Sequence, residues 1–76
     1  MAEKPYLATV EKIFNNGPHG PYAVARCKAL ASITFSLESE TWKEDEWPEP
    51  GESVILDKMR MQRGGWRAKE ARFVKP

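Results

Sequence analysis

Seven of the twelve Lys and Arg residues of this 76-residue chain lie from Lys58 onward, at Lys58, Arg60, Arg63, Arg67, Lys69, Arg72 and Lys75, against the single acid Glu70. Alternate residues of an extended strand share a face, so Arg67 and Lys69, and after a bulge Arg72, can form one stripe. Lys58, Arg60 and Arg63 flank it across a hairpin, and Lys12 and Arg26 extend the path on earlier segments. The chemistry open to such a stripe is phosphate binding with counterion release, which makes affinity fall steeply with salt. Trp66, beside Gly64, Gly65 and Arg67, is of a type on which an unpaired base stacks, at about 1–3 kcal/mol per base. Tyr22 and Phe14 border the first loop, and Tyr22 is the better platform because the strand after it exposes alternate residues. The same features have a structural reading. Edge Lys and Arg discourage aggregation, and Trp66 can plug one end of a small core.

A second constellation is acidic. Between Glu38 and Glu52 the chain carries seven acids (Glu38, Glu40, Glu44, Asp45, Glu46, Glu49 and Glu52) and one base, Lys43, and Trp42 and Trp47 sit among them. Phosphate is repelled from such a segment. Aromatic anchors rimmed by charge suit a protein partner with a basic surface, and equally the two indoles can fold the loop down over the rest of the molecule. The net charge of +1 thus conceals an acidic arm followed by a basic one.

Other chemistries find little purchase. His19 and Cys27 are one soft ligand of each kind, whereas a structural zinc site takes four, so no metal is expected. A Cys–His nucleophile pair needs an orienting group and an oxyanion pocket, and the carboxylates crowd a polar segment without an apolar pocket to raise a pKa. Gly17, Gly20, Gly64 and Gly65 lack the Lys-Ser/Thr and helix that complete a phosphate loop, so they read as turns. The expectation is a chain without catalysis or cofactor. One Cys forms no internal disulfide, the Met1–Pro5 start has no apolar leader, and no run reaches the roughly 20 apolar residues of a membrane span. These features predict a cytoplasmic protein free of the membrane.

The elements that must hold these residues are short strands. A single domain over 1–76 buries only about 60–65% of its unfolded surface, so the core must be small. Residues Tyr6–Phe14 are β-rich and run into the turn formers Asn15 to Pro21. Tyr22–Cys27 resumes extended structure, and Ser32–Leu37 alternates strictly, with Ile33, Phe35 and Leu37 on one face. Glu38–Pro50 reads as a long acidic loop in which Ser39 can cap one helical turn and Pro48 ends it. After a turn at Glu49-Pro50-Gly51, strands over Ser53–Met59 and Trp66–Val74 are predicted, with Met59–Gly65 between them as a loop. Five strands with the longest connection between the third and fourth match the small barrel of the oligonucleotide-binding fold. The five-stranded barrel of peptide-binding and Sm-like modules has the same strand count.

The order of segments resembles a bacterial cold-shock domain across almost the whole chain. Val10-Glu11-Lys12-Ile13-Phe14-Asn15-Asn16-Gly17 is similar to the first strand and Gly-rich loop of that family, and His19-Gly20-Pro21-Tyr22-Ala23-Val24 and Ile33-Thr34-Phe35-Ser36-Leu37 stand where its next two strands lie. Glu49-Pro50-Gly51-Glu52-Ser53-Val54 resembles the lead-in to its fourth strand, and Gly65-Trp66-Arg67-Ala68-Lys69-Glu70-Ala71 its closing strand. The resemblance implies an all-β barrel that binds single-stranded RNA or DNA by stacking bases on surface aromatics. Lys12, Pro21, Thr34 and Ser36 occupy positions where the family carries aromatic residues or His, so only Tyr22 and Phe35 carry over as stacking residues. The combined expectation is weak binding of single strands with little sequence preference. Its residues are Lys12, Tyr22, Arg26, Phe35, Lys58, Arg60, Arg63, Trp66, Arg67 and Lys69, with a Trp42–Trp47 protein-binding loop as the alternative.

Overall fold

In the computed structural model, residues 5–18 and 20–74 are described, so His19 and Lys75 lie outside the described residues. Five strands form: β1 (Tyr6–Phe14), β2 (Tyr22–Cys27), β3 (Ala31–Ser36), β4 (Ser53–Gln62) and β5 (Gly65–Phe73). They close into a barrel in the order β1-β2-β3-β5-β4, with β4 returning antiparallel to β1 and β5 running parallel to β3. Insertion of β5 between β3 and β4 is consistent with an oligonucleotide-binding-fold architecture. Closure pairs every strand on both sides, which removes the free edges of an open sheet.

Side-chain alternation decides what faces inward. Ala8 and Val10 of β1, Ala23 and Ala25 of β2, Ile33 and Phe35 of β3, Val54 and Leu56 of β4, and Ala68 and Ala71 of β5 are buried together. Five of these are Ala, and that economy of volume leaves room in a narrow barrel for the rings of Phe35 and Trp42. A bulge between Val10 and Lys12 shifts the phase of β1, so Ile13 packs against the core while Lys12 is exposed.

Two stretches depart from the sequence reading. The expected loop over Met59–Gly65 is mostly strand, because β4 stays paired with β5 out to Gln62 opposite Gly65. Lys58 at φ 54° interrupts the alternation there and Met59 packs toward the core, which hides the pattern that would have marked the strand although the β4–β5 register runs on unchanged.

The second departure is Trp42. This indole is only 2% exposed, lies at 5.9 Å from the Phe35 ring and edge-on to Phe73 at 4.9 Å, and donates its Nε1–H to the Glu46 carbonyl at 2.7 Å. Trp42 is therefore core, and its expected role as a protein-binding anchor is corrected. The backbone around it completes the seam: Ala71 N–H donates to the Thr41 carbonyl at 2.9 Å and Lys43 N–H to the Ala71 carbonyl at 3.0 Å, so the acidic segment continues along β5 where β3 has ended. The single turn before it is held by Thr41 and Trp42 N–H groups on the Glu38 carbonyl. Further on, Glu52 N–H donates to the Glu49 carbonyl with Gly51 at φ 94°, a type II turn with Pro50 and Gly51 in its two central places.

Candidate nucleic-acid interface

Register carries one row of outward side chains across all five strands. Lys12 pairs with Val24, Val24 with Thr34, Thr34 with Arg67, and Arg67 with Arg60. Each alternates with inward residues such as Ala23, Ile33, Phe35, Ala68 and Met59, which fixes the row on the outside. At a strand spacing of about 4.8 Å the row extends roughly 19 Å around the barrel. One row closer to the first loop, Phe14 pairs with Tyr22 and Tyr22 with Ser36. The Phe14 and Tyr22 rings stack at 4.7 Å and 13°, so each covers one face of the other.

Charge along this face is unbalanced. Arg60 and Arg67 are directly opposite on neighbouring strands, where like charges repel. The ion pairs among the described residues are Arg26–Glu11 at 3.0 Å and Lys58–Glu70 at 2.9 Å, and neither involves Arg60, Arg67 or Lys69. Lys58, Met59, Arg60 and Lys69 border a shallow basic depression beside the row. Two arginines held against each other without a carboxylate cost stability unless an anion joins them.

Beside the row lies a cleft of about 180 Å³ lined by Pro18, Gly20, Pro21, Tyr22, Thr34 and Arg67. The first loop forms its wall. Gly20 N–H donates to the Gly17 carbonyl at 3.2 Å, and Leu37 N–H to the Pro21 carbonyl at 3.0 Å. Gly20 sits at φ 95°, and a Cβ there would stand 2.5 Å from Glu38 Oε1, so the loop backbone rests against that carboxylate. The Thr34 hydroxyl donates to the Trp66 carbonyl at 3.5 Å.

Of the residues expected from the sequence, the structure brings Lys12, Tyr22, Arg60, Arg67 and Lys69 onto one face. Arg63 stands at the exposed tip of the β4–β5 hairpin. Arg26 lies in a different row, between Thr9 and Ser32, with its charge answered by Glu11. Lys58, at positive φ in β4, is paired with Glu70 at 2.9 Å. Trp66 is half-buried against the core opposite Ile33 and Met61. Phe35 has no exposed surface, and its expected role in base stacking is corrected, because it alternates with Thr34 and fills the barrel instead. Thr34 and Glu38 were not anticipated. The outward place of Thr34 was readable from the Ile33–Phe35–Leu37 alternation, whereas nothing local marks Glu38 as a neighbour of Gly20.

No protein-family model, curated protein or solved structure matches this chain. The reading of the site therefore rests on its own geometry.

Proposed function

We propose that this chain is a non-enzymatic module that binds single-stranded RNA or DNA across the outer face of its barrel, as the cold-shock-like order of its segments implies. Phosphates run past Lys12, Arg60, Arg67 and Lys69, and a base stacks on the Phe14–Tyr22 pair. The observation that carries this reading is the opposed Arg60–Arg67 pair, uncompensated by any carboxylate among the described residues and one row from a pair of aromatic rings. A polyanion supplies the missing countercharge and offers π-faces to the rings. Strands two and three, with the loops after strands one and four, are also the face that oligonucleotide-binding barrels use.

The test is a titration of isotope-labelled protein with a short single-stranded oligonucleotide at two salt concentrations, following backbone amides. Salt-sensitive shifts at Lys12, Tyr22, Thr34 and Arg60 to Lys69 support the reading. Saturating oligonucleotide at low salt with no shift on this face refutes it.

One observation favours a second reading, a protein partner. Trp47 remains 45% exposed and, with Glu46, Glu49, Glu52 and Val74, lines a groove beside Phe73 and Ser53, at the end of the β4–β5 hairpin away from Arg63. Under this reading Trp47→Ala abolishes capture of a basic partner and spares oligonucleotide binding.

A further inference from the structure

The cleft beside the basic row contains more than a phosphate path needs. Arg67 is half-buried in its wall and has no carboxylate partner among the described residues, and Tyr22 supplies a flat aromatic surface. Across the first loop, Glu38 lies against Gly20, which also lines the cleft. A carboxylate beside a phosphate path opposes binding. Glu38 does not line the cleft itself, so its charge acts on general affinity.

Glu38 is also held in place. Its N–H donates to Ser36 Oγ at 3.0 Å, and its carbonyl accepts from both Thr41 and Trp42 N–H, so its backbone is fixed where β3 ends. Within the cleft itself, the Arg67 fork of donors stands beside the flat surface of Tyr22, with the Glu38 carboxylate behind the loop at Gly20.

We propose that this cleft admits one unpaired base stacked on Tyr22 and selects guanine, with the Arg67 fork on O6 and N7. The inference rests on the single-strand-binding reading and adds one sequence-reading position to it. Guanine alone presents the two adjacent acceptors O6 and N7 on one edge. Adenine places an amino donor against the Arg67 donors, and uracil or thymine offers a single acceptor there. Cytosine offers acceptors at O2 and N3 but only a single ring to stack on Tyr22. The remaining nucleotides are held by phosphate alone and are not read.

The experiment compares short oligopyrimidines that carry one central G, A, C or T, titrated into the protein at fixed low salt and read by fluorescence anisotropy. A guanine preference of about tenfold over adenine is expected, within the range of one bidentate contact. Arg67→Lys keeps the charge and removes the fork, so the ratio of guanine to adenine affinity collapses toward one, whatever the accompanying change in affinity for the all-pyrimidine strand. Glu38→Gln raises affinity for every strand, because a negative charge leaves the neighbourhood of the phosphate path, and keeps the guanine preference. Amide spectra confirm that each variant is folded. Equal binding of all four strands by the unaltered protein, a preference for another base, or a guanine preference that survives Arg67→Lys overturns the inference and leaves single-strand binding standing. Failure of every strand to bind at low salt overturns both.

Discussion

Removing Lys12 and Arg60 together is the sharpest way to challenge the phosphate path. These two residues stand at opposite ends of the five-strand row, and with Arg67 turned onto a base the cations left for phosphate are Lys12, Arg60 and Lys69. Each neutralised phosphate of a single strand contributes about −0.7 to the slope of log affinity against log salt, so three contacts predict a slope of about −2 and one remaining contact about −0.7. Between 50 and 200 mM salt the intact protein then loses about 20-fold in affinity, and the Lys12→Ala/Arg60→Ala variant about threefold. Both side chains are exposed and neither forms an ion pair among the described residues, so folding should survive the change. The assay is anisotropy of a labelled oligopyrimidine carrying one central G over four or five salt concentrations. Arg26→Ala, in another row and already paired with Glu11, serves as the control and should leave the slope unchanged. A folded double variant that keeps a slope near −2 refutes the argument, as does a loss of slope in Arg26→Ala alone.

Three further outcomes follow from the architecture. Trp42→Ala empties a site between Phe35 and Phe73 and should cost about 3–5 kcal/mol in urea unfolding, most of what holds so small a domain together. Gly51→Ala meets open space yet forces an L-residue into φ 94°, so a loss of about 1–2 kcal/mol and a melting temperature lower by about 5–15 °C are expected by calorimetry. Ala31, exposed at φ 65° where β3 begins, gives the reverse result: Ala31→Gly relieves left-handed strain against a smaller entropic cost, and the melting temperature should stay level or rise by an amount equivalent to up to about 1 kcal/mol.

Much of the barrel was legible in the sequence because its signals are local. Ile33, Phe35 and Leu37 alternate without interruption, and Pro50-Gly51 specifies its turn by backbone preference alone. What escaped depends on residues distant in the chain. Trp42 sits among Glu40, Lys43, Glu44 and Asp45, a polar neighbourhood, and is buried because Phe35 and Phe73 meet it from other strands. The outer half of β4 escaped because the irregularity at Lys58 reverses which residues face inward. Clustering of positive charge toward the end of the chain was visible, but the alignment of Lys12 with Arg67 and Arg60 was not. It appears only when four pairings with no shared local signal are laid side by side. Phe35 shows the converse error, since an aromatic residue was carried over by resemblance although its own alternation already assigned it to the core.

The two seams that close the barrel join remote parts of the chain: Tyr6 pairs with Leu56 along one, and Ile33 with Trp66 along the other. During synthesis the first three strands therefore emerge as a meander whose outer strands, β1 and β3, both wait for partners that the ribosome has yet to supply. Until β4 and β5 arrive, that meander has two open edges of the kind that recruit foreign strands. Folding that depends on such distant pairings is slow for a chain of this size, on the order of milliseconds to seconds. How long those edges stay open is thus set by the β4–β5 hairpin, the same hairpin that bears the opposed arginines.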